Sequence, residues 1–402
     1  ELFSAHGHEV TIVAGRGRPL SNPAITFVKI PLLAATHPTQ RRFADMLAQG
    51  IVPSSFDRVA TELRSKLMDV LAQQDVVMVH NASTLHFNLS LTAALCRLSK
   101  STLRDKIVAW THDIAAINPL YESELSPGCP WDLLQQPQPG VRYVTVSRAR
   151  RDELLKLWKR EGTKVPPDVQ VIPNGIDPVT VLGLAPTTAK IVRELGLLDG
   201  RIVLLLPVRI TRRKNIELAI DVVAALRRQD LRSLLLVTGP TRGHHPARSA
   251  EYVAELHQHA RRMGVESDVV FLAESVDRPL TGREVMDLYR VSTLLFLPSR
   301  SEGFGLPILE AGANRLPVVA ADILVFRELA DDGARFFSAT AKAEEVAAIV
   351  ARVASKRANR FRATVVDDYA WETLYSRRIY PLLTAMVADK TRIAKRTESG
   401  QR

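Results

Sequence analysis

The chain has 402 residues, of which 46% are hydrophobic and 24% are charged, so it is long enough for two or three folded domains and too apolar to be disordered overall. Its net charge is +11, but no run of Lys and Arg is interleaved with aromatic residues, which argues against a nucleic-acid partner. No apolar run approaches the roughly 20 residues of a membrane helix. The two cysteines, Cys96 and Cys129, are too few for a disulfide scaffold and favour a reducing, cytoplasmic location.

Short apolar runs alternate with helical segments along most of the chain. The opening residues 1–8 have the pattern of a helix end, so we expect about one strand, one loop and part of one helix to precede the given sequence. Continuous Val, Ile and Leu runs are typical of parallel strands covered on both faces, and eleven strands are too many for one comfortable sheet. The predicted strands are Glu9–Ala14, Ala24–Lys29, Val76–Val79, Lys106–Trp110, Tyr143–Val146, Val169–Ile172, Arg201–Val208, Ser233–Val237, Val269–Leu272, Thr293–Leu297 and Pro317–Ala320.

This alternation predicts an α/β protein with two doubly wound domains. We place an N-terminal domain at residues 1–180, a second domain at 181–365 and a C-terminal segment at 366–402 that ends in a solvated tail. The segment Asp177–Lys190 contains two prolines and small polar residues, which predicts a hinge. Residues 181–402 carry 34 basic and 26 acidic residues, so an anionic ligand or the surface of an anionic membrane is expected there.

The strongest candidate site follows the predicted strand Thr293–Leu297. Gly303 and Gly305 allow a ligand to approach the backbone closely, and free N–H groups over 303–306, including those of Phe304 and Leu306, suit a diphosphate at the start of the next helix. The carboxylates of Glu302 and Glu310 would repel phosphate but accept hydrogen bonds from hydroxyl groups. We therefore expect Glu310 to bind a ribose and Glu302 to bind a transferred sugar. The alternative is an ordinary strand–loop–helix junction with surface carboxylates.

The second candidate site is a basic turn that follows the predicted strand Arg201–Val208. Arg209 and Lys214 lie five positions apart and can converge on one anion, Arg through its planar fork and Lys as a point charge. Arg212 and Arg213 share the turn and are expected to be solvated. The alternative is a solvated basic turn with no ligand.

A third candidate, His112, follows the predicted strand Lys106–Trp110. A histidine at a strand end can hydrogen-bond a sugar hydroxyl or transfer a proton. The alternatives are a capping or a core histidine. His80 and His86 lack the companions of a zinc site, and no metal site is predicted.

The spacing of Glu302 and Glu310 resembles the E-x7-E motif of retaining glycosyltransferases of the GT-B fold, in particular glycosyltransferase family 4. Arg209 and Lys214 resemble the phosphate-binding pair of that family's G-R-(x)4-K-G pattern, although Val208 and Asn215 replace its glycines. The resemblance also implies that His112 faces the donor sugar, that Asn174 belongs to the segment closing the first domain, and that Gly239 is a donor-side glycine.

The resemblance implies two Rossmann-like domains that face each other across a cleft, with a C-terminal helix that crosses back to the first. It further implies a retaining transfer of sugar from a nucleotide-diphosphate sugar, as co-substrate, to an unidentified acceptor. Because no Asp-x-Asp occurs in the sequence, we expect no metal and no other cofactor. The expected location is cytoplasmic, with possible peripheral contact at a membrane. The alternatives are a sugar-nucleotide epimerase and an inactive nucleotide-sugar-binding protein.

Overall fold

The computed structural model describes residues 1–163, 166, 168–239, 246–355 and 357–388. The chain forms two compact units. The first unit comprises Glu1–Gly175 and the chain from Trp371 onward, and the second unit comprises Ile176–Ala370. The predicted tail at 391–402 lies outside the described residues.

All strand pairings between named strands are parallel in the part of the chain that the structure describes. The eleven predicted strands are present, with ends that differ from the predicted ones by at most two residues, and β12 is an addition. The strands are β1 (Val10–Ala14), β2 (Ile25–Lys29), β3 (Val77–His80), β4 (Ile107–Thr111), β5 (Val141–Thr145), β6 (Val169–Val171), β7 (Ile202–Leu206), β8 (Ser233–Val237), β9 (Val269–Phe271), β10 (Leu294–Leu297), β11 (Val318–Ala321) and β12 (Ala334–Phe337).

Helices follow most of the strands, as expected for parallel sheets. The α-helices are α1 (Leu2–Ala5), α2 (Pro38–Leu47), α3 (Phe56–Leu71), α4 (Leu89–Ser99), α5 (Arg148–Arg160), α6 (Pro178–Val181), α7 (Pro186–Leu195), α8 (Ile216–Arg228), α9 (Pro246–Arg262), α10 (Leu272–Ser275), α11 (Gly282–Val291), α12 (Leu306–Ala313), α13 (Leu324–Ala330), α14 (Ala343–Ala354), α15 (Arg357–Tyr369) and α16 (Trp371–Leu374).

In the first unit, β3, β4, β5 and β6 form a four-stranded sheet in chain order, and β1 pairs with β2 in a separate two-stranded sheet. One core cluster joins α2, α3, α4 and α5 to this unit's strands. The opposite face of β4 and β5 packs against a turn of π-helix at Tyr375–Ile379 and the helical residues 380–388 that follow it. Gly175 lies against the ring of Trp371, where a Cβ atom would come within 2.5 Å of the indole.

In the second unit, six strands form one sheet in the order β12-β11-β10-β7-β8-β9. The chain builds β7, β8 and β9 outward in one direction, then returns to β10 beside β7 and continues the other way. This is the strand order of a Rossmann fold, and its direction reverses between β7 and β10. Ligands in such sheets bind outside the carboxyl ends of the strands at this reversal.

The central strands of the second unit have almost no contact with solvent. Val203, Leu204, Leu205 and Leu206 of β7 are all 0% exposed, because helices cover both faces of the sheet. The predicted fold class, α/β with two Rossmann-like units as in the GT-B fold, is confirmed.

The predicted hinge at Asp177–Lys190 is not an irregular linker. It contains α6 and the first part of α7, and its two prolines, Pro178 and Pro186, are the first residues of these helices. Proline suits this position because the N–H it lacks would have no partner within the helix.

Gly239, just beyond β8, packs directly on the backbone after β7. A Cβ atom at this position would lie 1.8 Å from the carbonyl oxygen of Val208. We expect Gly239→Ala to lower the free energy of unfolding by about 1–3 kcal/mol, or to prevent folding, because backbone atoms must move to admit the methyl group. Urea denaturation of the full chain, followed by circular dichroism, measures this change.

Gly282→Ala is the matched control, since nothing lies within 4 Å of a Cβ atom there. Gly282 is the first residue of α11, so this variant should be neutral or slightly more stable. Equal losses in the two variants would contradict the steric argument.

Candidate functional site

The two strongest sequence motifs come together where the strand order of the second unit reverses. β7 and β10 are paired neighbours, with Leu204 opposite Leu294 and Leu205 opposite Leu295. The basic turn follows β7 and the loop carrying Glu302 follows β10. Because parallel strands present their carboxyl ends at one edge, both segments reach the edge where ligands bind in this type of sheet.

The basic turn has a defined backbone shape. Residues Arg212–Lys214 form a short 3-10 helix, and Asn215 ends it in the left-handed conformation with φ +55° before α8 begins. Asparagine adopts this conformation more readily than most residues. Asn215, which stands where the family pattern has glycine, therefore adopts a left-handed conformation that glycine also adopts readily, whereas Val208 lies outside the left-handed region.

The loop after β10 turns into α12 through Gly305, which has φ +102°. A Cβ atom at Gly305 would lie 3.0 Å from the ring of Phe326, so both the backbone angle and the packing favour glycine. Gly303 has no such constraint, and its N–H donates to the carboxylate of Glu302 at 3.2 Å. The side chains of Phe304 and Leu306 are exposed.

Backbone and side-chain hydrogen bonds join the basic turn to this loop. The N–H of Arg300 donates to the carbonyl oxygen of Arg213 at 2.8 Å. The Arg300 guanidinium also donates to Asn215 Oδ1 at 3.1 Å. The relative position of the two motifs is therefore fixed by the protein itself.

Glu302 forms ion pairs with two cations of the basic turn. Lys214 Nζ donates to Oε2, and Arg213 Nη1 donates to Oε1 at 3.1 Å. Partial burial by itself raises the pKa of Glu302, but hydrogen bonds from Lys214 and Arg213 outweigh it, and the net shift of this pKa is downward. The Lys214 side chain is 7% exposed, so its charge is offset mainly by Glu302.

Glu310, on α12, accepts a hydrogen bond from Tyr289 of α11. The phenol oxygen lies 2.5 Å from Oε2 of Glu310. Burial, and then the bond to Glu310, raise the pKa of Tyr289, so the phenol stays protonated and acts as a donor. Oε1 of Glu310 has no hydrogen-bond partner among the described residues and is left to accept one.

The remaining arginines of the turn differ in their surroundings. Arg209 is exposed and has no hydrogen-bond or ion-pair partner among the described residues. Arg212 donates two hydrogen bonds of 2.8 Å to Glu255 and stacks over the ring of Tyr252 at 4.7 Å. Arg212 and Arg213 are exposed to solvent, as expected, and each also pairs with an acidic side chain, Arg212 with Glu255 and Arg213 with Glu302.

In the first unit, His112 follows β4 and lies close to Asn174. Asn174 Nδ2 is 3.4 Å from His112 Nδ1. Asn81 Oδ1 accepts hydrogen bonds of 3.0 Å from the N–H groups of both His112 and Asp113, and Asn81 itself has φ +55°. The loop after β3 thus positions the loop that carries His112.

Sequence reasoning missed the positioning residues Arg213, Tyr289 and Asn81. Arg213 has the type and position of a ligand-binding residue, but only the placement of Glu302 shows its role. Tyr289 lies 21 residues before Glu310, and no local pattern joins a helix residue to a carboxylate beyond the next strand. Asn81 carries a weak signal, because it lies two residues after a predicted strand and asparagine is common where the backbone turns.

No group of three or more His, Cys, Asp or Glu side chains is placed to hold a metal ion within the described ranges. Over the same residues, no helix is long and apolar enough to cross a membrane. Neither observation tests the predicted independence from metal or the predicted location.

Comparison with known proteins supports the glycosyltransferase interpretation. Residues 188–364 match the family described as Glycosyl transferases group 1. This match covers β7 to β12 and therefore both motifs of the second unit. The predicted class of enzyme, a glycosyltransferase, is confirmed at the level of this domain.

The curated relatives include a synthase and several proteins named as glycosyltransferases. The chain is 28% identical to mannosylglucosylglycerate synthase of Thermotoga maritima, over 81% of this chain and 76% of that protein. It is 35% identical to D-inositol 3-phosphate glycosyltransferase of Kineococcus radiotolerans, over 48% of this chain and 42% of that protein. The match thus spans three quarters of the first relative and less than half of the second.

Among solved structures, a glycosyltransferase from Rickettsia africae is 15% identical, with coverage of 96% and 92% of the two chains and a TM-score of 0.36. HepE of Anabaena, in complex with UDP and glucose, is 20% identical, with coverage of 86% and 88% and a TM-score of 0.36. TM-scores this low do not allow positions in the site to be compared.

We expect Glu302→Gln to destabilise the protein in a pH-dependent way. The folded state holds the Glu302 pKa below its ordinary value of 4.5, so the carboxylate contributes stability above that value and loses the contribution as pH falls through the lowered pKa. At neutral pH the loss should be about 1.5–3 kcal/mol, the usual range for hydrogen bonds to charged groups. Urea denaturation at several pH values measures it.

Glu255→Gln is the matched control, since Glu255 pairs with the exposed Arg212. An exposed ion pair is worth about 1 kcal/mol or less. A difference between wild type and Glu302→Gln that stays constant from neutral to acid pH would refute the assignment.

Proposed function

We propose that the protein is a retaining, metal-independent glycosyltransferase whose second unit binds a nucleotide-diphosphate sugar. The observation that carries the proposal is the convergence of the Arg209–Lys214 turn with the Glu302–Glu310 loop beside β7 and β10. Cations and free N–H groups suit the diphosphate, whereas carboxylates beside them suit hydroxyl groups. A nucleotide-diphosphate sugar presents both kinds of group.

Each residue has a role in this proposal. Arg209, Lys214 and the N–H groups at the start of α12 bind the diphosphate, Glu310 binds the ribose, and Glu302 binds the transferred sugar. The ion pair between Lys214 and Glu302 would join a group that binds the diphosphate to a group that binds the transferred sugar. Arg209 has no such partner among the described residues, which leaves its guanidinium available to an incoming phosphate.

During transfer, the bond between the anomeric carbon and the diphosphate oxygen breaks as a bond from an acceptor hydroxyl forms on the same face of the sugar. The acceptor proton passes to the leaving diphosphate, which gains negative charge. Preorganised donors stabilise charge that develops in the transition state, and Arg209 and Lys214 fill this role. We assign the acceptor to the first unit, where His112 would bind a hydroxyl group.

The proposal is tested by a thermal-shift panel of UDP, GDP, ADP and their sugars, measured with and without EDTA. We expect the diphosphates of one base to raise the melting temperature, because a ligand at 100 times its dissociation constant stabilises by about 2.7 kcal/mol. Chelation should leave the shift unchanged. No shift with any nucleotide, or a shift that requires Mg²⁺ or Mn²⁺, would refute the corresponding part of the proposal.

Two variants in the same turn sharpen this test. Arg209→Ala should reduce the nucleotide-induced shift, whereas Arg212→Ala should retain it, since Arg212 is occupied by Glu255. Equal losses would indicate a diffuse basic surface, as an anionic membrane would require, in place of a specific phosphate site.

We further expect Tyr289→Phe to weaken recognition of the ribose. Loss of the phenol removes the hydrogen bond that orients Glu310. The preference for the best-binding nucleotide diphosphate over its 2′-deoxy counterpart should fall by roughly fivefold, the equivalent of one ordinary hydrogen bond. Titration calorimetry with both nucleotides measures this ratio.

Tyr252→Phe is the matched control, because Tyr252 donates to Glu217 at 2.8 Å in the same unit. It should leave the ratio unchanged. If the role of Tyr289 is purely structural, Tyr289→Phe should lower the affinities for both nucleotides equally, and their ratio should stay constant.

A further inference from the structure

The first unit contains a cavity of about 240 Å³ that the proposed donor site does not use. Its wall includes Arg41 and Asp45 of α2, His86 and Phe87 from the segment after β3, and Glu124 and Trp131 from the segment after β4. All of these segments follow the carboxyl ends of strands β2, β3 and β4, the side on which parallel α/β sheets bind ligands.

The same loops carry His112. Thr84 Oγ1 donates to the carbonyl oxygen of Asp113 at 2.7 Å, and the N–H of Ala115 donates to the carbonyl oxygen of Thr84 at 2.9 Å. These bonds tie the segment leading to His86 to the segment that begins at His112. A ligand in the cavity would therefore be held by loops that also position the predicted catalytic histidine.

The cavity carries charged groups with spare hydrogen-bonding capacity. The side chains of Arg41 and Asp45 are exposed and have no hydrogen-bond or ion-pair partner in the described part of the chain. Glu124 is partly exposed and lies 2.9 Å from His86 Nε2 through one carboxylate oxygen. A donor fork and two carboxylates thus border one small space, a combination suited to a ligand with several hydroxyl groups.

Two ring nitrogens in the wall also lack protein partners among the described residues. Trp131 Nε1 and His86 Nδ1 are both buried without a hydrogen bond. Trp131 Nε1 can only donate, whereas His86 Nδ1 is an acceptor when the proton sits on Nε2 facing Glu124. A hydroxyl group can both accept from a tryptophan N–H and donate to a histidine nitrogen.

Aromatic surface completes the cavity. Phe87 is 46% exposed, and the ring of Tyr121 stands edge-on to it at 5.7 Å between centroids. An exposed ring face of this kind can cover the C–H groups of a sugar ring while its hydroxyls reach the polar wall. The small size of the cavity, about 240 Å³, suits one sugar ring or a short polyol.

We propose that this cavity binds one sugar ring or polyol unit of the acceptor, an inference that rests on the proposed glycosyltransferase function. Arg41, Asp45 and Glu124 bind its hydroxyl groups, and Phe87 covers its apolar face. Trp131 Nε1 and His86 Nδ1 are covered by neighbouring atoms in this structure, so hydroxyls reach them through a small rotation of the wall side chains. Their signals should then report on occupancy.

The test follows the indole N–H resonances of the ¹⁵N-labelled full chain by NMR, with Trp131→Phe to assign the Trp131 signal. The probes are methyl α-D-glucopyranoside, methyl α-D-mannopyranoside and glycerol, added up to roughly millimolar concentrations, the upper range of substrate constants. At least one probe should shift the Trp131 signal in a saturable way and leave the Trp371 signal in place. Tetrahydropyran, a sugar ring without hydroxyls, should not.

Two variants and one control test the wall. His86→Ala and Asp45→Asn should each lower the affinity for the best-binding probe by roughly fivefold or more, as expected for one lost hydrogen bond. His257→Ala should have no effect, since His257 forms a comparable pair with Glu274 in the second unit. Asp45 is exposed, so its variant keeps the test valid even if His86→Ala fails to fold. No shift with any probe, an equal shift with tetrahydropyran, or unchanged affinity in Asp45→Asn would overturn the proposal.

The nucleotide panel separates this inference from the proposed function. If nucleotides bind but no sugar probe shifts the Trp131 signal, the proposed donor site is supported and the proposed acceptor cavity is refuted. A sugar response without nucleotide binding would refute the glycosyltransferase proposal, and with it the assignment of the cavity to an acceptor.

Discussion

The carboxylate of Glu302 determines the arrangement of the candidate donor site, because it holds two cations from a different loop. Lys214 is nearly buried, and an isolated buried ammonium would be strongly destabilising. Its pairing with Glu302 makes burial tolerable and requires that the loop after β10 stay beside the turn after β7. The backbone bond from Arg300 to Arg213 acts in the same direction. The shape of the site follows from this constraint before any ligand is present.

The same constraint sets the local charge. Two cations of the turn, Arg213 and Lys214, share the single carboxylate of Glu302, Arg209 has no acidic partner among the described residues, and Arg212 pairs with Glu255. An excess of positive charge therefore remains at the edge of the sheet. A preorganised positive site does not have to reorient its groups when charge develops on a ligand, which is why such sites are effective in catalysis.

Much of the architecture could be predicted because strands of parallel sheets are continuous apolar runs, and all eleven such runs form strands. β12 was missed because Ala334–Phe337 is short, lies at the edge of its sheet and has an exposed Arg335 in its middle. Pro178 and Pro186 indicated an irregular segment because proline interrupts helices, but it also begins them; the hinge itself stays a prediction. For the strand Ala334–Phe337 and for the two prolines, the local sequence is compatible with two structures, and tertiary packing determines which one forms.

The candidate site was also predictable only in part. The positions of Glu302, Glu310, Arg209 and Lys214 near one sheet edge follow from their places after two strands. Their partners do not, because Arg213 lies 89 residues from Glu302 and meets it only through the reversed strand order. Asn215 shows that a left-handed backbone conformation can be reached without the glycine that usually signals it. The roles of these residues toward ligands are still predictions.

The return of the chain to the first unit at Trp371 has a consequence for how the protein is made. On the ribosome, β4 and β5 emerge early, but Val108, Trp110 and Val144 on their outer face share a core cluster with Tyr375 and the helical residues after it, which emerge much later. The second unit is continuous in sequence, and its whole core emerges before that cover does. The apolar face of β4 and β5 therefore lacks the part of its cover that residues 375–386 supply until the second unit has been synthesised. Nascent or truncated chains that end before Trp371 would expose this face and be prone to aggregate.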